Sequence, residues 1–319
     1  MATTEKYTGA VTTIPSFEDV AVLEVNELIG AKATTAEAGI VKFQVQNKLD
    51  LCKLCYLSQS ASQVLLQGLQ LNPFDLGKRQ HELFGSPGGV SGNLAYALLR
   101  AAGYDGKQFL FDPFTRSGAI AIEAALFSSG FPVNYYRKDA FSSYFLQLRN
   151  FSKIDFGKFF IAVEKEAAAT AARRLNKSKL KILSSSPLMQ HVRSAEKNAK
   201  IAGVKKLIRF GRLDIEWLDA KLDEREIDLV VSYPPQFKSV SGNDAFAAAE
   251  NKKLVSLYKN LFYQADFFLS RKGKMVLLLK KGSYGEITAA AATYKFAAGL
   301  LRSFKLGSEE FEMVSFTKL

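Results

Sequence analysis

The stretch of this chain that decides its fold is Asp112-Pro113-Phe114-Thr115-Arg116-Ser117-Gly118, and an apolar helical run follows it at 119–125. The apolar segment 109–111 before it predicts a β-strand, so the stretch is a turn that leads from a strand into a helix. In an α/β sheet, a turn of this kind lies at the carboxyl edge of the strands, where ligands bind. We therefore expect a ligand site at this turn.

Further apolar segments alternate with helical segments after this turn. The predicted strands are 181–183, 207–210, 227–232 and 273–279, and the predicted helices between them are 189–202 and 252–269. Nearly continuous apolar strands separated by helices indicate a parallel sheet that is covered on both faces. The alternating segment 304–318 is expected to complete this sheet with a hairpin.

Residues 1–72 predict a small, separate α+β domain. The predicted order is strand, helix, strand pair, helix and strand, which is a ferredoxin-like alternation. Ser16 is expected to cap the first helix, with Asp19 three residues further on. The segment 73–91 is rich in Pro and Gly and predicts a linker. The second domain is then 92–319, with a basic insertion at about 133–180.

The net charge of +12 is concentrated in one segment of the chain. Residues 1–72 carry five Lys/Arg and seven Asp/Glu, whereas residues 137–209 carry 17 Lys/Arg and five Asp/Glu. A concentrated basic excess is typical of a surface that contacts a phosphate backbone; a solubilising surface is the alternative. In and beside this segment lie aromatic residues that either stack unpaired bases or pack a core: Tyr135, Tyr136, Phe141, Tyr144, Phe145, Phe151 and Phe156. Nucleic acid is the favoured partner.

The two cysteines, Cys52 and Cys55, have the Cys-x-x-Cys spacing of redox and zinc sites. The sequence has no second cysteine pair, and both histidines are distant in sequence. Because the surrounding run is the apolar face of a predicted helix, we favour two buried thiols that pack a core, and we assign no metal ligands.

No apolar run approaches the ~20 residues that a membrane-spanning helix needs. The N-terminal residues show no basic region followed by an apolar core, which a signal peptide requires. We therefore expect a cytoplasmic protein without a membrane partner.

Three segments occur in the order of a known family: the turn at Asp112, the segment 192–204 (VRSAEKNAKIAGV) and the segment 228–235 (DLVVSYPP). At this spacing they resemble the UPF0020-type RNA guanine-N2 methyltransferases, which usually carry an RNA-binding THUMP module. Members of that family methylate the exocyclic amine of guanine in tRNA or rRNA and use S-adenosylmethionine. The resemblance implies a Rossmann-like class I methyltransferase domain at 92–319, and residues 1–72 resemble the small ferredoxin-like domain of the same family.

The resemblance also implies a set of site residues. The turn after the first strand and the ends of the next two strands would hold the cofactor, through Asp112, Pro113, Phe114, Ser117, Gly118, Ser186 and Asp214. The loop after the fourth strand would hold the target base, through Tyr233, Pro234, Pro235 and Phe237. A base within a duplex would first have to be flipped out.

The chain departs from the family pattern at four positions within these segments. Arg116 replaces a glycine of the cofactor turn, and Ser186 replaces an acidic residue after the second strand. Tyr233 replaces asparagine, and Gln236 replaces the aromatic residue of the target loop. Each lost charge-assisted hydrogen bond costs ~2–3 kcal/mol, so two or three losses weaken cofactor binding by roughly two orders of magnitude or more.

Three hypotheses follow. The first is an active RNA methyltransferase, and the second is a catalytically inactive RNA-binding or scaffold protein. The third, a methyltransferase for proteins or small molecules, is disfavoured by the basic excess; unchanged RNA affinity after charge reversal at Lys177, Lys179 and Lys181 would favour it. No room for a THUMP module exists between residue 72 and Gly92. Either the basic segment 137–209 or a separate protein is then expected to dock the RNA.

Overall fold

The computed structural model describes residues 6–85, 88–149, 151–176, 179–237 and 245–319, so Lys177 and residues 86–87 of the predicted linker lie outside the described residues. Two sheets organise the chain, a five-stranded sheet near the N-terminus and a seven-stranded sheet in the remainder. None of the described helices is both long enough and apolar enough to cross a membrane.

The first sheet forms a small antiparallel domain. Its elements are β1 (Tyr7–Thr12), α1 (Glu18–Ile29), β2 (Ala33–Glu37), β3 (Ile40–Val45), α2 (Leu49–Leu57), β4 (Gln63–Leu66) and β5 (Leu69–Gln70). The strand order is β2-β3-β1-β4-β5, and every adjacent pair is antiparallel. The first four strands therefore have the ferredoxin-like arrangement that the sequence predicts. Cys52 and Cys55 are fully buried in the core of this domain.

The expected cap of the first helix is wrong by one residue. Ser16 adopts a left-handed conformation with φ of 74°, and Phe17 occupies the cap position without a side-chain hydrogen bond. The Glu18 carboxylate instead accepts hydrogen bonds from the backbone N–H groups of Ser16 and Gly39. The carboxylate thus joins the start of α1 to the β2–β3 turn.

The second sheet has seven strands, five of which run parallel. Its elements are α3 (Gly92–Ala101), β6 (Leu110–Asp112), α4 (Ala119–Ser129), α5 (Lys138–Gln147), α6 (Phe156–Leu175), β7 (Ile182–Ser186), α7 (Met189–Ile201), β8 (Arg209–Arg212), β9 (Ile227–Ser232), α8 (Ala245–Phe268), β10 (Leu269–Lys280), α9 (Tyr284–Thr293), β11 (Phe296–Leu306) and β12 (Glu309–Lys318). The strand order is β11-β12-β10-β9-β6-β7-β8. Strands β6 to β10 pair in parallel, and β12 runs antiparallel between β10 and β11. The predicted parallel sheet and its C-terminal hairpin are confirmed.

The segment between α4 and β7 packs against the N-terminal domain. Four of its aromatic residues lie in one core with the N-terminal strands and α2: Phe141, Phe145, Phe151 and Phe156. All four are buried, so the alternative that they stack unpaired RNA bases is wrong for them. Tyr136, at the start of the same segment, is exposed.

A buried ion pair fixes the linker between the two sheets. Arg79 and Glu123 form a two-pronged contact with N–O distances of 2.8 and 3.1 Å, and both side chains are inaccessible to solvent. Gln59 of the N-terminal domain donates to Glu123 Oε2 at 2.6 Å. A methyl group at Gly92 would lie 2.4 Å from Arg79 Nε, so α3 requires glycine where it passes this pair.

Candidate functional site

The carboxyl ends of β6, β7 and β9 meet at one edge of the large sheet. From β6 the chain proceeds to β7 on one side and later returns to β9 on the other, so the strand order reverses between β6 and β9. Ligands of open α/β sheets bind at such a switch point, outside the carboxyl ends of the strands. The turn at Asp112 and the loop at Tyr233 border this point, and both line the same small cavity.

Asp112 is a buried carboxylate at the end of β6. Its Oδ1 accepts hydrogen bonds from the Ser232 hydroxyl and, at 3.3 Å, from the Phe114 N–H. Burial raises the pKa of Asp112 from 3.8 to about 6, although these hydrogen bonds and the nearby Arg116 oppose the shift. At neutral pH the site therefore holds a negative charge that is poorly solvated, which favours an added cation.

The turn after Asp112 is fixed by packing. Gly118 adopts φ of +85° at the cap position of α4, and a methyl group there would lie 2.8 Å from the Ala195 methyl group on α7. Glycine is therefore needed for the turn and for the close approach of α7. Ser117 is buried, and its carbonyl accepts from the Asn198 amide at 2.9 Å. Phe114 is buried in the core beneath the sheet edge.

Arg116 and Tyr233 occupy the space beside Asp112. The Arg116 Cζ lies 5.9 Å from the centre of the Tyr233 ring, and a methyl group on Gly88 would lie 2.8 Å from Arg116 Nη1. The cavity that remains is about 20 Å³, enough for about one water, whereas ligand sites measure roughly 300–1,000 Å³. The main chain of the turn and the Asp112 carboxylate thus suit a cofactor with a cationic group. The Arg116 and Tyr233 side chains must turn away to admit it.

The ends of β7 and β8 contribute hydroxyl, imidazole and carboxylate groups. The buried Ser186 hydroxyl lies 3.2 Å from His191 Nδ1, and it accepts from the Leu188 N–H at 3.2 Å. Asp214 is exposed, and its carboxylate accepts from the Glu216 N–H at 3.3 Å. The Leu213 N–H donates to the Ser186 carbonyl, so these two strand ends are adjacent. Burial and the charge of Arg116 lower the pKa of His191.

The loop after β9 is held by side chains of this chain. Gln236 Nε2 donates to the Pro234 carbonyl at 2.6 Å, and Gln236 Oε1 accepts from the Lys280 N–H at 2.7 Å. The Tyr258 hydroxyl donates to the Pro235 carbonyl at 2.8 Å. Phe237 stacks on the Tyr258 ring, with the centroids 5.8 Å apart and the planes at 11°. One face of Phe237 is therefore covered by the protein.

Sequence reasoning missed three residues that shape this site. Ser232 bonds Asp112, His191 contacts Ser186, and Asn198 holds the Asp112 turn from α7. Ser232 could have been found, because it is the last residue of a predicted strand at the same sheet edge. The roles of His191 and Asn198 depend on how α7 packs, which the sequence pattern does not specify.

The strand order, the switch point and the buried acid at the end of the first strand define a class I methyltransferase fold. The chain belongs to the family described as UPF0020, RMKL-like, methyltransferase domain, which matches residues 79–296. The fold class and the family predicted from the sequence are confirmed.

Two curated relatives and one solved structure illustrate the similarity. The chain is 31% identical over 143 residues to the ribosomal RNA large subunit methyltransferase K/L of Vibrio parahaemolyticus, covering 44% of this chain and 19% of that protein. It is 26% identical over 160 residues to the tRNA (guanine(6)-N2)-methyltransferase of Methanocaldococcus jannaschii, covering 50% and 38%. The fold matches that of SMU.472, assigned as a methyltransferase and solved with SAH, with a TM-score of 0.69, 14% identity and 99% of each chain covered.

The matched regions span less than two fifths of the length of either curated relative. The predicted lack of a THUMP module stays a prediction.

Proposed function

We propose that this chain is a cytoplasmic RNA methyltransferase that uses S-adenosylmethionine to methylate N2 of guanine in tRNA or rRNA. The observation that carries the proposal is the meeting of the Asp112 turn and the Tyr233-Pro234-Pro235 loop at the switch point, within the segment 79–296 that matches the family. The names of the two curated relatives support the RNA substrate, and the SAH in the SMU.472 structure supports the methyl donor.

S-adenosylmethionine supplies an electrophilic methyl group. We assign the ionised Asp112 to the cationic amino group of the cofactor, since this carboxylate is buried beside the cavity and has a pKa of about 6. Ser186 is assigned to the ribose hydroxyls and Asp214 to the adenine amine, because they end adjacent strands. The turn that follows Asp112 is shaped by Pro113, Phe114, Ser117 and Gly118.

Tyr233 is the best-placed side chain for the target amine. The carbonyl oxygens of Pro234 and Pro235 already accept hydrogen bonds from Gln236 and Tyr258. Burial raises the pKa of Tyr233, so its hydroxyl stays protonated at neutral pH and its oxygen can accept from the amine. Phe237 then offers one ring face to the base, since the other packs on Tyr258.

Calorimetry with S-adenosylmethionine tests the cofactor assignment. We expect binding to the wild type, and a loss of about 30- to 150-fold in Asp112→Asn, which corresponds to one charge-assisted hydrogen bond. Asp139→Asn, at an exposed aspartate on α5, is the matched control and should bind as the wild type does. Absence of wild-type binding at millimolar cofactor would contradict the proposal.

Transfer of a labelled methyl group into tRNA or rRNA tests the activity itself. The inactive alternative, which the family match does not favour, predicts salt-sensitive RNA binding that is indifferent to cofactor. Incorporation of label at guanine N2 would exclude that alternative. The proposal includes RNA docking through residues 137–209 or through a separate protein. The same methyl-transfer assay, applied to variants with reversed charges in this segment, tests that docking.

A further inference from the structure

A broad groove lies where the linker meets α7, apart from the cavity at Asp112. Its volume is about 710 Å³, which falls within the roughly 300–1,000 Å³ of small-ligand sites. Three segments line it: residues 80–84 of the linker, residues 131–136 after α4, and residues 197–202 of α7. We call it the linker groove. None of the residues that the proposed methyl transfer uses lines it.

Aromatic rings form part of the wall of the linker groove. Tyr136 is 57% exposed and Phe84 is 38% exposed. The centre of the Tyr136 ring lies 5.1 Å from that of Tyr135, and the Tyr135 ring centre lies 4.8 Å from that of Phe131. The exposed Tyr136 ring thus rests on a packed row, which limits its motion. Exposed aromatic rings of this kind stack nucleic-acid bases without strong sequence preference.

Two lysines give the linker groove a positive charge. Lys197 and Lys200 lie three residues apart, on one face of α7. Lys197 Nζ is 4.7 Å from the centre of the Phe84 ring, so a charge and an aromatic surface are adjacent. Among the residues that the structure describes, the lining contains these two lysines and no carboxylate. The combination is complementary to a base with its phosphate.

His81 lines the groove and carries a buried polar atom without a hydrogen-bond partner among the described residues. The residue is only 4% exposed, and its Nε2 has no hydrogen-bond partner among the described residues. Burial and the charges of Arg79 and Arg137 lower its pKa to about 3, so the imidazole is neutral at pH 7. A buried polar atom without a partner is costly.

The wall that carries Phe84 is also rigidly held. The Asn198 side chain accepts from the Phe84 N–H at 3.0 Å and donates to the Phe84 carbonyl at 3.1 Å. The same amide donates to Ser117 in the Asp112 turn. The linker groove is therefore preformed, and it is anchored to the candidate cofactor site by one residue.

We propose that the linker groove binds an unpaired nucleotide of an RNA ligand, with its base against Tyr136 and Phe84 and its phosphate at Lys197 and Lys200. The choice of RNA rests on the proposed function, and the groove gives a specific place to the RNA docking that the proposed function assigns to residues 137–209. An RNA bound in the linker groove would be held at a nucleotide other than the target base, close to the Asp112 turn.

Fluorescence anisotropy with a 5′-labelled single-stranded oligouridine, in the absence of cofactor, tests the stacking. Loss of one stacked base is expected to weaken binding by about five- to 150-fold, so Tyr136→Ala should show a loss in this range. Tyr263→Ala is the matched control, because Tyr263 is 58% exposed and also rests edge-on against one tyrosine. Equal affinities of the two variants would overturn the proposal.

The salt dependence of the same binding tests the phosphate contacts. Each phosphate contact of a single strand contributes about 0.7 to the slope of log affinity against log salt. Because the two lysines hold one phosphate, the double variant Lys197→Ala/Lys200→Ala should lower the slope by about 0.7. Lys252→Ala/Lys259→Ala, at two exposed positions of α8, should leave it unchanged. Equal slopes in both double variants would contradict the assignment.

The outcome is separable from that of the proposed function. If Tyr136→Ala weakens oligouridine binding while the wild type transfers no methyl group, the groove stands and the methyltransferase proposal fails. If the wild type methylates RNA and Tyr136→Ala binds and reacts as the wild type does, the methyltransferase proposal stands and the groove fails.

Discussion

The buried charge of Asp112 makes a quantitative prediction for the variant Asp112→Asn. Because burial raises the pKa of Asp112 from 3.8 to about 6, the folded protein holds this proton more tightly than the unfolded chain does. Between those pH values the folded state binds more protons, so its stability falls as the pH rises. The full penalty, about 3 kcal/mol, is present at neutral pH and absent below about pH 4. Asparagine keeps an oxygen acceptor for Ser232 and Phe114 but carries no charge.

Urea denaturation of wild type and Asp112→Asn at several pH values measures this effect. The free energy of unfolding of the variant, relative to the wild type, should rise by about 3 kcal/mol between about pH 4 and pH 7.5. Asp139→Asn, which removes an exposed carboxylate from α5, controls for the change in net charge and should show a much smaller trend. A difference between Asp112→Asn and wild type that stays constant across this range would refute the argument.

Three further predictions concern other contacts. Arg116→Ala should tighten S-adenosylmethionine binding by about two- to sixfold in calorimetry, because the cofactor no longer has to break an Arg116–Tyr233 contact of ~0.5–1 kcal/mol; weaker binding would show that Arg116 instead pairs with the cofactor carboxylate. Glu123→Gln should lower the free energy of unfolding by about 3–5 kcal/mol, since it leaves the buried Arg79 charge unpaired, whereas Glu166→Gln at a surface pair should cost under about 1 kcal/mol. Cys52 and Cys55 should resist a thiol reagent until urea unfolds the protein, because burial raises the pKa of both thiols; rapid reaction of the native protein would contradict this.

The sequence predicts the large sheet well because its strands are nearly continuous apolar runs. The segment 227–232 coincides with β9. The third predicted strand, 207–210, is shifted, since β8 lies at the sheet edge and spans Arg209–Arg212, with the two arginines exposed and the two residues between them half-buried. Edge strands bury fewer residues, so their apolar pattern is weaker.

The candidate site is predicted less completely, because its properties depend on contacts across the sheet. The positions of Asp112 and Tyr233 at one edge follow from the strand pattern. The closure of the cavity by Arg116 and the tethering of the target loop by Gln236 do not, since both depend on side-chain direction. The resemblance predicts that Gly118 helps to hold a cofactor, and the structure adds that glycine is needed there for the close approach of Ala195.

The ion pair of Arg79 and Glu123 bears on how this molecule loses its structure. Its members belong to the linker and to α4, and Gln59 of the N-terminal domain bonds the same carboxylate. Separating the N-terminal sheet from α4 would break this cluster and would also uncover the aromatic core that α5 and α6 share with that sheet. Uncompensated buried charge and exposed aromatic surface both raise the free energy. Unfolding of one sheet while the other stays folded is therefore unfavourable. The two sheets are therefore expected to behave as one cooperative unfolding unit.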